Sequence, residues 1–193
     1  MLRALYDWTL RQAERPYALW VLAAVAFIES SVFPIPPDVL LIPMVLAAPH
    51  RAWLIAGVCT LASVAGGGAG WLIGWGLFEA VGAPVLDFYG KLEKFDELAA
   101  AYNDQGFWAV LIAGVTPFPY KVITIFSGAT GLDFWPFMAT SVLARGLRFF
   151  IVAGLLRVYG PAIRGFIEQR LGLVLTVSVA LLLGGFVAAR YAL

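Results

Sequence analysis

Two apolar stretches of this chain are each cut near the middle by closely spaced prolines, and that feature limits the fold more than any other. The first runs from Tyr17 to Pro49 and is broken at Phe33-Pro34-Ile35-Pro36-Pro37-Asp38. The second runs from Phe107 to Gly131 and is broken at Thr116-Pro117-Phe118-Pro119-Tyr120-Lys121. Pro34, Pro36, Pro37, Pro117 and Pro119 lack an N–H and restrict the residue before them, so no helix continues through either turn. A bilayer core of roughly 30 Å needs about 20 helical residues. The arm from Asp38 to Pro49 spans 12 residues, about 18 Å if helical. Chain that enters a membrane and cannot leave must turn back. Each stretch is therefore predicted to be a re-entrant hairpin, over 17–49 and 107–131, with its turn surrounded by protein or a water-filled cavity.

The two turns also repeat one another. Val32, Pro34, Pro36, Asp38, Val39 and Ile42 match Val115, Pro117, Pro119, Lys121, Val122 and Ile125, every pair offset by 83 residues. An internal repeat built on proline-broken membrane segments is the signature of a transporter whose site lies at the repeat interface. At one matched position the two halves carry opposite charges, Asp38 and Lys121.

Composition makes the membrane the setting. Of the 193 residues 62% are apolar and 13% charged, against roughly 45–50% and 25% in soluble domains, and the mean hydropathy is +0.87. The chain is read as one all-α polytopic membrane domain over 1–193, an inverted repeat of two hairpins plus about three transmembrane helices at 53–82, 134–156 and 171–189. Residues 2–13 read as an interfacial amphipathic helix. A cleaved leader is not expected, because Asp7 and Glu14 interrupt it and the chain stays apolar beyond Ala24-Val25-Ala26. Residues 84–106 read as an amphipathic connector on the outer surface. Small residues at Ala62, Gly66, Gly70 and Gly74, and again at Gly172, Thr176, Ala180, Gly184 and Ala188, form ridges for close helix packing. Arg3, Arg11, Arg15, Arg51, Arg157, Arg164 and Arg170 fall on one side and Lys91, Lys94 and Arg190 on the other, which puts the N-terminus in the cytoplasm.

The same inventory excludes several classes. A net charge of +1 leaves no basic surface for nucleic acid. One cysteine, Cys59, and one histidine, His50, cannot build an N/S metal site or an intramolecular disulfide, and no cofactor is expected. A membrane-embedded phosphatase would need a partnered nucleophile, and none stands out. Ser30, Ser31, Thr116 and Thr124 are assigned to the broken backbone of the hairpins instead.

Most charges fall at segment boundaries, but Glu29, Asp38, Lys121, Arg145 and Arg148 do not. One such charge at mid-membrane costs roughly 2.5–3.5 kcal/mol even on the gentler insertion scale. They must share a polar interior. A closed salt-bridge cluster is one reading. Yet three bases against two acids leave one positive charge over, which suits an anionic head group, and the Lys121, Arg145 and Arg148 donors match phosphate oxygens. Glu29 or Asp38 is then the acid that exchanges a proton.

These motifs resemble the DedA family, also called the SNARE-associated Golgi or VTT domain, and within it the short YqaA-like members. The resemblance rests on Glu29-Ser-Ser-Val-Phe-Pro34-Ile-Pro36-Pro-Asp38, Thr116-Pro-Phe-Pro-Tyr-Lys121 and Arg145-Gly-Leu-Arg148-Phe-Phe, and covers residues 17 to about 160. It implies a multi-pass protein of the bacterial inner membrane, not an enzyme, that moves undecaprenyl phosphate or a phospholipid between leaflets, with some members drawing on the proton gradient. It places Glu29 and Asp38 at the family's essential acids and Lys121 where many members have arginine. The chain departs at Val115, where better-studied members carry another arginine. A proton-coupled carrier of a small ion or drug is the alternative reading of the same charges.

Overall fold

The computed structural model describes residues 17–33, 36–116 and 118–169, with side chains through residue 160. The helix expected at 2–13, the span expected at 171–189 with its small-residue ridge, the turn residues Pro34 and Pro117, and five of the ten basic residues used for orientation lie outside the described residues. Among the described residues all regular structure is helical: α1 Ala18–Ser31, α2 Asp38–Ala47, α3 Ala52–Leu77, α4 Ala83–Phe88, α5 Leu92–Asp104, α6 Gly106–Val115, α7 Tyr120–Ala129 and α8 Phe134–Gln169.

Both apolar stretches break where the prolines stand. The N–H groups of Val32 and Phe33 both donate to the Ile28 carbonyl, closing α1. In the second stretch Thr116 is extended, with φ −80° and ψ 167°, and ends α6. The resulting helices have 14, 10, 10 and 10 residues, so each is shorter than the roughly 20 needed for a crossing. Two others are long and apolar enough to cross a membrane, Pro49–Phe88 and Phe134–Gly160.

The observed elements differ from the expected segments in three places. The helix through Trp53 continues past Gly82 to Phe88, by way of a π-turn at Phe78–Gly82. The 84–106 connector is two helices, parted at Gly90, whose φ of +60° is a left-handed conformation that glycine adopts without strain. The 134–156 helix runs on to Gln169, through Pro161. A proline inside a helix removes one hydrogen bond, and here as at Pro43 of α2 the helix absorbs the loss.

Packing follows a two-fold plan. α3 and α8 lie against each other; α1 and α7 pack on α3, while α2 and α6 pack on α8. Exchanging the halves, α1-α2-α3 for α6-α7-α8, maps each of these contacts onto another. The repeat seen at the turns thus extends to a third helix in each half. Glycines make α3 the central element: a Cβ on Gly66 would strike the Phe27 carbonyl, and one on Gly74 the Ile125 carbonyl. Backbone here touches backbone, as close helix contact without side chains requires.

Polarity is distributed the opposite way from a soluble fold. Trp20, Leu61, Phe88 and Trp135 are exposed by 71–84%, whereas Glu29, Ser30, Ser63, Thr124, Ser141 and Arg145 are buried. An apolar exterior of that extent around a polar interior needs a nonaqueous surrounding.

Candidate functional site

Four of the five interior charges form two ion pairs of different character. Arg145 on α8 donates from Nη2 to Oε2 of Glu29 on α1 at 2.9 Å, with side-chain exposures of 2% and 9%. Its Nε donates to Ser63 Oγ at 2.7 Å, Ser63 and Ser30 share a hydrogen bond at 2.7 Å, and the Ser30 hydroxyl donates to the same Glu29 oxygen at 3.0 Å. With the Ser63 hydroxyl donating to Ser30, every hydrogen in this ring has one acceptor, and both branches run from the guanidinium to the carboxylate. The guanidinium also lies 4.7 Å from the Tyr120 ring centroid and 4.6 Å from that of Phe149, a favourable place for a cation. Tyr120 is itself held by its hydroxyl donating to Ser141 at 2.6 Å.

The second pair stands at the turns. Arg148 Nη2 donates to Asp38 Oδ2 at 2.7 Å, with exposures of 17% and 21%. Its Nη1 donates to the carbonyl of Thr116. One guanidinium thus holds the first turn through Asp38 and the second through Thr116. Asp38 opens α2, where a carboxylate also complements the helix dipole.

Lys121 is the charge left over. Its Nζ donates to the Val32 carbonyl at 3.1 Å, across from the second turn to the first, and no carboxylate lies within salt-bridge range of it among the described residues. It sits in the first turn of α7, which has no acidic residue to balance the helix dipole. Below it the Thr124 hydroxyl is 2.9 Å from both the Ser30 and the Lys121 carbonyls. A Cβ on Gly70 would collide with Thr124, so this cross-link between the halves depends on that glycine.

All five predicted charges therefore meet at one junction, at which Pro36 and Pro119 also stand as exposed flanks of the two turns. Reading the chain alone missed Ser63 and Tyr120, which fix Arg145. The available signal was a polar residue on a charge-free span, Ser63, and a tyrosine beside the second turn. Val115 is 38% exposed at its own turn. Cys59 is buried and free, and among the described residues no group of three metal-ligating side chains occurs.

The model of the VTT domain matches residues 35–158. A protein of Haemophilus influenzae is 36% identical over 151 residues, 78% of each chain. An HI0703 homolog of Histophilus somni is 33% identical over 151 residues, again 78% of each. No solved structure matches the chain. The match starts within the first turn and takes in Asp38, the second turn and both arginines, and the chain belongs to the VTT-domain (DedA) family, a family of membrane-associated, transporter-like proteins.

Proposed function

We propose that this protein moves a phosphate-bearing lipid, undecaprenyl phosphate or a phospholipid, between the leaflets of the bacterial inner membrane, and that proton exchange at an acid drives it. In this reading the two proline-broken segments are re-entrant hairpins whose turns meet inside the membrane, and the N-terminus is cytoplasmic. The observation that carries the proposal is the leftover cation: Lys121 pairs with no carboxylate among the described residues and, like the partly exposed Arg148, ties one turn to the other. An anion arriving there gains one ammonium and one forked guanidinium, a donor set suited to phosphate oxygens.

The residues divide the work. Lys121 and Arg148 hold the phosphate, since both are accessible, while Arg145 is committed to Glu29 and Ser63 and adds positive charge from behind them. Phosphate at Arg148 competes with Asp38 for the same Nη2 hydrogens. Protonation of Asp38 removes the competing charge, so proton uptake and lipid binding favour each other there.

Purified protein in proteoliposomes, offered labelled undecaprenyl phosphate or a labelled phospholipid with and without a pH gradient, tests the proposal. Leaflet exchange of one phosphorylated lipid above that of protein-free vesicles is expected, lost in Lys121→Gln and Arg148→Gln. Absence of exchange for both lipids would overturn it, and flux of a soluble ion in its place would favour a small-ion or drug carrier.

A further inference from the structure

The two ion pairs have unlike surroundings, and the difference assigns them different tasks. Glu29 and Arg145 are almost fully buried, closed into a ring by Ser30 and Ser63, and clamped by Tyr120 and Phe149. Glu29 and Ser30 lie in the last turn of α1 and Tyr120 opens α7, but Ser63, Arg145 and Phe149 lie in the interiors of α3 and α8, and the whole ring is buried. Opening it would strand two charges with no water to receive them. Arg148 and Asp38 are more exposed, at 17% and 21% against 2% and 9% for Arg145 and Glu29, and lie at the tips, where the partners are a helix end and a carbonyl of an interrupted chain.

From this contrast we infer that Arg148 is a latch that holds the two proline turns together, released when Asp38 loses its charge, while the Glu29–Arg145 ring is a fixed strut. This rests on the transport reading for its purpose, though not for its geometry. Three bonds cross between the halves near the tips. Arg148 joins Asp38 of the first turn to Thr116 of the second; Lys121 reaches back from the second to the Val32 carbonyl; and Thr124 bonds the Ser30 carbonyl one turn deeper, behind Gly70. The deepest of these is neutral and buried. It is the pivot. The two outer bonds are made by cations, and those are the same two side chains that an incoming anion would claim. Asp38 is paired with Arg148 from α8, shares with Arg148, Arg145 from α8 and Glu29 from α1 the interior around Cys59 of α3, and has Lys121 across the turns at the Val32 carbonyl. Of these only Arg148 pairs with it, so neutralising Asp38 frees one specific donor.

Spin labels at Phe33→Cys and Val115→Cys, in a Cys59→Ala background, report the separation of the turns in lipid nanodiscs. Both positions are exposed and neither side chain takes part in the cross-links. The parent should give one narrow distance distribution. Asp38→Asn should add a longer population, and Asp38→Asn with Lys121→Met a larger one, since the second outer bond is then gone too. Arg148→Lys, which keeps the charge but cannot fork between two acceptors, should also lengthen the distance and serves if Asp38→Asn does not fold. Glu29→Gln should lower the thermal midpoint and leave the distance at its parental value in the folded protein. A parental distribution in both Asp38→Asn and Arg148→Lys would overturn the latch, as would a lengthening in Glu29→Gln equal to that in Asp38→Asn. The readout is a distance, so a protein that opens in this way yet moves no lipid would sink the transport reading and leave the latch standing.

Discussion

Glu29 and Asp38 look alike in the sequence, each an acid beside a proline turn, and their surroundings separate them. Removing one partner of a buried ion pair leaves an uncompensated charge and costs about 3–5 kcal/mol; breaking a water-accessible pair costs on the order of 1 kcal/mol or less. Glu29→Gln strands Arg145 where it has 2% exposure, so thermal unfolding in detergent should show a large drop in midpoint. Asp38→Asn leaves Arg148 near water and still bonded to Thr116, and its midpoint should stay close to the parent's. Equal losses in the two variants would mean that the pairs differ only in appearance. Arg145 itself shows what a one-dimensional reading can and cannot give. That it needed a partner followed from the cost of a charge in the membrane; that the partner was Glu29, with Ser63 and Tyr120 holding it in place, depended on four helices meeting, which no spacing rule encodes.

At the scale of elements, proline decides where helices stop only when several act together. Three prolines at the first turn and two at the second end α1 and α6, while isolated Pro43 and Pro161 stay inside helices. The breaks were thus legible, but the ends of α3 and α8 were not, because hydropathy marks where a helix is apolar rather than where its hydrogen bonds cease. The repeat was likewise legible only at the turns. On the third helix of each half, α3 faces its neighbours largely with glycine and α8 with Thr140, Ser141 and Arg145, so the buried faces differ in residue type. Glycine contacts give an element-scale prediction. α7 lies on α3 through Gly74 against the Ile125 carbonyl and Gly128 against the Trp71 carbonyl. Either glycine changed to alanine forces the two backbones apart, at about 1–3 kcal/mol for the overpacking, and should lower the midpoint. Gly57→Ala, on the same helix with open space around it, should not. A second prediction concerns α5, whose Asn103 and Thr130 bond reciprocally at the end of α7 while Tyr102 bonds Ser127. Asn103→Ala removes both bonds to Thr130, and hydrogen exchange at 127–131 should quicken without change in α1.

Across the whole molecule, the two-fold plan of helix packing is not matched by a two-fold plan of charge. α8 carries Arg145 and Arg148, whereas α3, its counterpart, has no charged residue between Ala52 and Leu77. Asp38 and Lys121 sit at matched places in the turns, yet Asp38 pairs with an arginine of the other half and Lys121 with a backbone carbonyl. A simple reciprocal pair would tolerate exchange of its charges. Here the double variant Asp38→Lys with Lys121→Asp would set a lysine against Arg148, in place of the carboxylate now 2.7 Å away, and would put an acid where the leftover cation stands. Net charge is unchanged by the swap, so any effect comes from position alone. The exchanged protein should insert and fold less stably than either the parent or Asp38→Asn, because like charges now meet at the junction, and it should move no phosphorylated lipid in the vesicle assay. Parental transport by the exchanged protein would show that the junction reads only its total charge. The arrangement seen here, with two arginines on one side of a symmetric frame, would then have no part in choosing an anion.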